Sequence, residues 1–331
     1  MFPYDSIGNE LVVSLFGGSH SEFIGAKIEH FPSGVRFDAS LLKKDIDRRR
    51  PQRYGTPRHE SDAAEFLPVF KDGDFIPENF SFKVRNTNSD TSSYDANKKF
   101  FRPSHCDYVY YKKYGENSLK YKDEASGRIT LPIVIAGSLC KMFLSSNRVT
   151  LHAEVSSPKN VEDLETADSI GGKITCRINN VPVGVGEPIF CKIQSMLAMA
   201  VMSIPSAVSF ELGDGLKRTC ISGIEDIDEW TEDNNALSPY FKTKTNHSGG
   251  VNAGISNGNE IVFHAGFHPV HTLERPVNMI DGEGRTEQRI FGGRHDKAHI
   301  FRLPVVVESL AAMVLTDLLL MKNKNNSDGK K

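Results

Sequence analysis

The sequence predicts an α+β domain of mostly antiparallel sheets sandwiched by helices. Four segments place apolar residues at helical spacing. Six shorter runs read as strands, some of them neighbours joined through turn residues such as Asn179-Asn180. The two kinds do not alternate one for one, as the crossover units of a parallel sheet would require.

Taken in chain order, strands are expected at Leu11–Leu15 and Ile28–His30. A helix follows over Ser40–Arg49, with Asp38 as its N-cap and Pro51 as its stop. A second helix, Leu131–Leu144, aligns Ile133, Ala136, Leu139, Cys140 and Phe143. Strands Val149–Glu154 and Ile174–Ile178 come next. A third helix, Glu187–Met202, opens on Glu-Pro, which suits a first turn, and ends near Pro205. Strands Val208–Leu212 and Glu260–Gly266 precede a last helix, Pro304–Leu320. The apolar stripes of all four helices read as core. Polar stretches at 86–99, 116–124 and 225–244 read as excursions from one domain, 1–321. Residues 322–331, rich in Lys, Asn, Ser and Gly, read as a disordered tail.

The 331 residues are 39% hydrophobic and 25% charged, with a formal net charge of −2, as in an ordinary soluble domain. Neither a basic excess for nucleic acid nor an acidic one for disorder is present. The five cysteines form no C-x-x-C pair, so neither a disulfide framework nor a zinc site is expected, and a reducing cytoplasm fits. No signal peptide is read at the N-terminus, and no uncharged apolar run approaches the ~20 residues of a membrane span.

Five segments could carry chemistry. Gly17-Gly18-Ser19-His20-Ser21 follows an apolar strand, where small residues admit a ligand and histidine suits proton transfer; a plain surface turn is the other reading. From Arg48 to Arg58, five of eleven residues are arginine, including Arg48, Arg49 and Arg53. Guanidinium forks bind phosphate and carboxylate bidentately, which favours a small polyanion over a nucleic acid or a merely solvated basic face. Arg102-Pro103-Ser104-His105-Cys106-Asp107-Tyr108 joins a second histidine to an arginine and a carboxylate. The run 246–258 holds Gly249, Gly250, Gly254 and Gly258, whose amides could meet a phosphate or a flat ring, although it does not match G-x-G-x-x-G. Gly293-Arg294-His295-Asp296 suggests anion binding with acid–base work, or a structural salt bridge.

The order and spacing of these blocks is more specific than any one of them. With Gly184–Pro188, Met202–Pro205, Gly213–Gly215 and Ile255–Gly258, they resemble the chorismate synthase family from about residue 8 to 320. The resemblance implies a cytoplasmic homotetramer of helix-covered antiparallel sheets, with no nucleic-acid or membrane partner. It implies a lyase of the shikimate pathway that removes phosphate from 5-enolpyruvylshikimate 3-phosphate by 1,4-elimination. Reduced FMN is required without net redox change, and some members reduce it with NADPH.

Carried onto matching positions, the resemblance implies His20 as the group that meets the leaving phosphate. His105 would protonate the reduced flavin, and Asp296 would serve removal of the C6 proton. Ser19, Arg48, Arg49, Arg53, Arg102 and Arg128 would bind substrate. Ser126, Ala253, Gly254, His268, Thr272 and Arg294 would hold FMN.

The sequence departs from the family mainly on the flavin side. Where the family reads Arg-Gly-Gly-Gly-Arg, this chain has Lys120-Tyr121-Lys122-Asp123-Glu124, including a charge reversal at Glu124. Only Ser126, Arg128 and Thr130 persist beyond it. The family's Lys-Pro-Thr-x-Ser is His268-Pro269-Val270-His271-Thr272, which exchanges a fixed cation for titratable rings. Gly18 stands for a glutamate, Ser21 for a glycine and Asn88 for an aspartate. These departures admit a second reading, a catalytically impaired paralogue that binds a related phosphorylated or carboxylated anion in a regulatory role.

Overall fold

A computed structural model describes residues 5–19, 21–51, 62–87, 100–115, 126–158, 168–231, 241–290 and 296–327. Every strand pairing in it is antiparallel. One sheet has the order β1 (Ser6–Ile7), β2 (Val12–Gly17), β3 (Phe23–Glu29), β5 (Phe80–Arg85), β4 (Ala64–Leu67). A second runs β7 (Thr150–Ser157), β8 (Gly172–Asn179), β12 (Ile261–Phe267), β9 (Ala207–Leu212). A small third sheet is β14 (Thr286–Arg289), β13 (Val277–Asp281), β6 (Phe100–Phe101), and β10 (Val251–Asn252) with β11 (Ile255–Ser256) forms a hairpin.

The α+β class with antiparallel sheets is as expected, but the layer order is reversed: the helices form the inner layers and the two large sheets the outer ones, because the two central helices are apolar on every face and need cover on both sides. α1 (Ala39–Arg49) and α3 (Thr130–Ser146) pack together, and α3 also covers β2 and β3. α4 (Ile193–Met202) and α5 (Pro304–Ser327) pack together on the other side, with α5 against β7 and β8. α3 and α5 meet at the centre. This explains their composition, because α3 buries side chains on every face, from Leu131 to Leu144. A helix that is apolar all round must be covered all round. Both are long and apolar enough to cross a membrane, yet 72% and 83% of their apolar windows are buried inside the fold. One contiguous apolar core draws on residues from Leu11 to Leu319.

Local chemistry sets the helix limits. Asp38 caps α1 by accepting from the amides of Ser40 and Leu41, as its position before the helix implied. α4 starts at Ile193, six residues later than the sequence suggested. The Ile193 amide is claimed by the carbonyl of Gly254, and Phe190 takes a positive φ, so the preceding turn cannot be helical. Part of the expected tail is helical: α5 continues to Ser327, with Lys322 donating to the carbonyl of Val183 and Lys324 pairing with Glu10, while 328–331 lie outside the described residues. Several elements were not anticipated, among them β5, whose Phe80, Phe82 and Val84 alternate inward, the β13–β14 hairpin, and α2 (Asp107–Tyr114).

Polar pins cross the helical layers. Glu308 of α5 accepts from both terminal nitrogens of Arg48 at 2.7 Å, from Lys141 at 2.7 Å and from the Ala153 amide at 2.8 Å. Burial alone would raise its pKa, but Arg48 and Lys141 pull it down to about 2. Asp317, one turn from the end of the buried stretch, accepts the amides of Asn9, Glu10 and Leu11 and so fixes the β1–β2 turn.

The α3–α5 crossing is close because Gly137 has no side chain; a Cβ there would lie 2.2 Å from the Cβ of Ser309. Gly137→Ala should therefore lower the urea midpoint, even though alanine improves helix propensity by about 1 kcal/mol. A raised midpoint would show that the helices are free to separate.

Candidate functional site

Two clusters of buried charge lie at the ends of these elements. The first gathers where α1 ends and α3 begins. Arg49, 2% exposed, donates from Nε to Thr130 Oγ1 at 3.0 Å and from Nη2 to the Gly127 carbonyl at 3.2 Å. Its Nη1 lies 3.7 Å from the carboxylate of Asp62. Arg128 donates to the other oxygen of Asp62 at 2.7 Å and, from Nε, to Asn86 Oδ1 at 2.9 Å. Two guanidinium groups thus share one buried carboxylate, an arrangement that holds positive charge in place for an anion. Ser126 caps the turn that presents Arg128. Ser19 lies in the β2–β3 turn, which Asn86 ties to Arg128.

The second cluster is built on the segment leading into α2. Arg102 forks onto Asp107, at 2.7 Å from Nε and 3.0 Å from Nη2, and donates from Nη1 to Thr272 Oγ1 at 3.1 Å. His105 Nδ1 lies 3.1 Å from both Arg102 Nη2 and Asp107 Oδ1. That nitrogen accepts from the guanidinium when neutral and donates to the carboxylate when protonated, so one ring position serves both states. Burial would raise the pKa of Asp107, but hydrogen bonds from His105 and Arg102 hold it well below the carboxylate range. The sulfur of Cys106 sits 3.5 Å from His105 Nδ1.

His271 donates from Nδ1 to the carbonyl of Ser104 at 2.9 Å, and His268 does the same to its neighbour Pro269 at 2.7 Å. A carbonyl only accepts, so both rings carry a proton on Nδ1. The two imidazoles stack with centroids 4.3 Å apart and planes 2° from parallel.

A bridge leads from the first cluster to Asp296. Arg302 donates to the Arg49 carbonyl at 2.9 Å and to Asp296 at 2.7 Å. Nearby, burial pushes the pKa of His299 down to about 4, with the Asp296 carboxylate opposing the shift. The His299 Nε2 is 2.8 Å from Ser206 Oγ, and its buried Nδ1 has no hydrogen-bond partner among the described residues.

Beside His105 opens a cavity of about 430 Å3, lined by Phe101, Tyr108, Val109, Met279 and Ile280 with Arg102, Ser104, Asn278 and Thr286 at its polar edge. Its size falls within the roughly 300–1,000 Å3 of small-molecule sites. Apolar walls with one polar edge fit a flat heteroaromatic ring.

A family model described as chorismate synthase matches residues 11–167 and 159–320. The chain belongs to the chorismate synthase family. The chorismate synthase of Parabacteroides distasonis is 32% identical over 360 residues, covering 97% of this chain and 99% of that one. That of Christiangramia forsetii is 34% identical over 361 residues, with 98% and 99% covered. A crystal structure of chorismate synthase aligns with a TM-score of 0.70 at 20% identity, over 97% of this chain and 98% of its own. That likeness establishes the antiparallel α+β fold.

Within the chorismate synthase frame, the structure collects most described candidates and redirects three. Arg49, Arg128, Ser126 and Ser19 belong to the first cluster, Arg102, His105, His268 and Thr272 to the second, and Asp296 to the bridge. Arg48, expected as a substrate arm, has its fork closed on Glu308, with Asp45 at 3.2 Å, and serves the helix layers. Ala253 and Gly254 form the positive-φ turn of the β10–β11 hairpin, and Gly254 touches Glu187, Lys192 and Ile193 rather than either cluster. The neighbouring glycines also have a packing role, since a Cβ on Gly250 would lie 2.4 Å from the Glu260 carbonyl. His20, Arg53, Arg294 and the altered Leu119–Glu124 stretch lie outside the described residues. The sequence assigns no site role to Asp62, Asn86 or His299, and Thr130 only persists from the family motif. Asp62 had one available signal, as an acidic residue just beyond a basic run.

His299 generates a pH prediction. Its ordinary pKa is near 6.5 and its folded value about 4, so the unfolded chain takes up the proton first. The stability contributed by the neutral ring is complete above pH ~6.5 and is lost as pH falls toward 4. Between pH 7 and 5, His299→Gln should lose less unfolding free energy than the parent. Parallel losses in urea titrations would show that this ring is not linked to the proton.

Proposed function

We propose that this chain eliminates phosphate from 5-enolpyruvylshikimate 3-phosphate to give chorismate, with reduced FMN held beside His105. The Arg102–Asp107–His105 constellation at the mouth of the cavity carries this reading. His105 is the family histidine for the flavin edge, and here both of its protonation states have a partner. Residues fitted to hold FMN are His105, Thr272 and His268, with the apolar wall of Phe101, Tyr108 and Met279. When bound, reduced FMN supplies electron density as the phosphate departs and regains it afterwards.

The protein's own share is charge placement. Arg49 and Arg128 present fixed guanidinium groups to a phosphorylated dicarboxylate, with Asp62 holding them at the required spacing. Because they are already oriented, little reorganisation is needed as charge develops on the leaving group. Asp296, locked by Arg302 and linked through it to Arg49, is the carboxylate assigned to the proton at C6. His20 and Arg53 complete the family set from positions outside the described residues.

Self-association accompanies this reading. Ile189, Phe190, Met199, Met202 and Val208 are exposed around α4 and β9, with Phe190 88% exposed. An apolar face of this kind favours burial between copies, in keeping with the homotetramer that the family resemblance implies.

Two experiments test the proposal. Purified protein mixed anaerobically with dithionite-reduced FMN and 5-enolpyruvylshikimate 3-phosphate should release phosphate and chorismate together, and His105→Ala should reduce the rate by about 10²-fold or more, the upper part of the range usual for a lost proton-transfer group. Folded protein that binds the substrate without releasing either product would favour the anion-binding paralogue instead. Light scattering should give four times the 36.7 kDa chain mass; a monomer would remove the association reading.

A further inference from the structure

Asn86 is the first residue beyond β5, and its side chain joins Arg128 to the β2–β3 turn. Its Nδ2 donates to the Gly18 carbonyl at 2.9 Å and to the Ser21 carbonyl at 2.7 Å. Its Oδ1 accepts from Arg128 Nε at 2.9 Å, and its own amide donates to Glu22 at 3.0 Å. These partners determine the orientation of the amide. Two carbonyls face the NH2 and a guanidinium faces the oxygen, so the flipped form would set acceptor against acceptor and donor against donor.

The turn itself is closed from within. Ser21 N donates to Gly18 O at 3.2 Å, and Gly18 N donates to Ser21 Oγ at 3.0 Å. Asn86 therefore does not make the turn; it sets where the turn sits. At its other end Arg128 is anchored by Asp62, which is 2% exposed. The chain of contacts runs Asp62, Arg128, Asn86, then the two carbonyls that bracket Ser19 and His20 in sequence.

We propose that Asn86 is a positioning residue that registers the Gly18–Ser21 turn against Arg128. The guanidinium that would hold one part of an anionic substrate and the turn that carries Ser19 and His20 then share a single side chain, so neither can shift by an ångström without the other. Displacements of that size at a reacting centre cost on the order of 10²-fold in rate. The catalytic part of this inference rests on the function proposed above; the mechanical part does not.

The test has one arm for each part. In hydrogen exchange, the Gly18 and Ser21 amides should exchange at least tenfold faster in Asn86→Ala and also in Arg128→Ala, because Arg128 reaches the turn through Asn86. Unchanged exchange in either variant, with far-ultraviolet dichroism preserved, overturns the proposal whether or not the protein is an active lyase. In turnover, Asn86→Ala should lower kcat by about 10²-fold, while substrate Kd, read by calorimetry with oxidised FMN present, stays within threefold. The double variant Asn86→Ala/His20→Ala should be no slower than His20→Ala alone, since the two would remove one function. Multiplicative losses, or a parallel fall in kcat and binding, would show that Asn86 is merely structural. A parent that never makes chorismate refutes the function proposed above, and the exchange arm then decides this one.

Discussion

The fold turns on the buried carboxylate of Glu308. It sits in the middle of α5, 2% exposed, and joins α1 through Arg48, α3 through Lys141 and β7 through the Ala153 amide. Asp45 balances the opposite side, accepting from Arg48, Lys141 and Ser138. A buried ion is costly unless every partner is present, and losing one partner typically costs about 3–5 kcal/mol. The network therefore penalises any other registration of the helical layers more strongly than apolar packing, which tolerates sliding. It also orients the site. Successive residues on a helix point about 100° apart, so closing Arg48 on Glu308 turns Arg49 toward Thr130, Gly127 and Asp62.

The same logic governs the site. Its arginines are not loose cations waiting for a ligand, for each described one already meets a carboxylate. Arg102 faces Asp107, Arg49 and Arg128 face Asp62, and Arg302 faces Asp296. Such pairing lowers the entropy lost when an anion binds and keeps hydrogen-bond forks aimed. The stacked His268 and His271 contribute differently. Their Nδ1 protons are spent on carbonyls, so their Nε2 edges are set by the backbone around Pro269 and Ser104.

Much of this was legible before the structure. Ordered blocks such as Arg102–Tyr108 point to a site because they combine cation, carboxylate and histidine within a few residues, and that block does fold into one cluster. Asp38 could be read as a cap because a cap is a local interaction. Asp62, Asn86 and Thr130 could not be read as partners, since the arginines they hold lie far from them in sequence. Arg48 and Arg49 are adjacent and chemically identical in sequence, and only the structure shows that one closes on Glu308 and the other on Thr130, Gly127 and Asp62. Residues 322–327 depart from the expected disordered tail for a similar reason: Lys322 and Lys324 meet Val183 and Glu10, partners that lie far away in sequence.

The sequence by itself determined the fold class, the family and the residue types available for chemistry. Periodicity, turn residues and ordered motifs are all properties of the chain read in one dimension. Tertiary structure decided the layer order, which carboxylate each arginine meets, and how the β2–β3 turn is tied to Arg128. Those outcomes depend on contacts such as Glu308 with Arg48 and Asn86 with Gly18, whose partners are brought together only when the helical layers close.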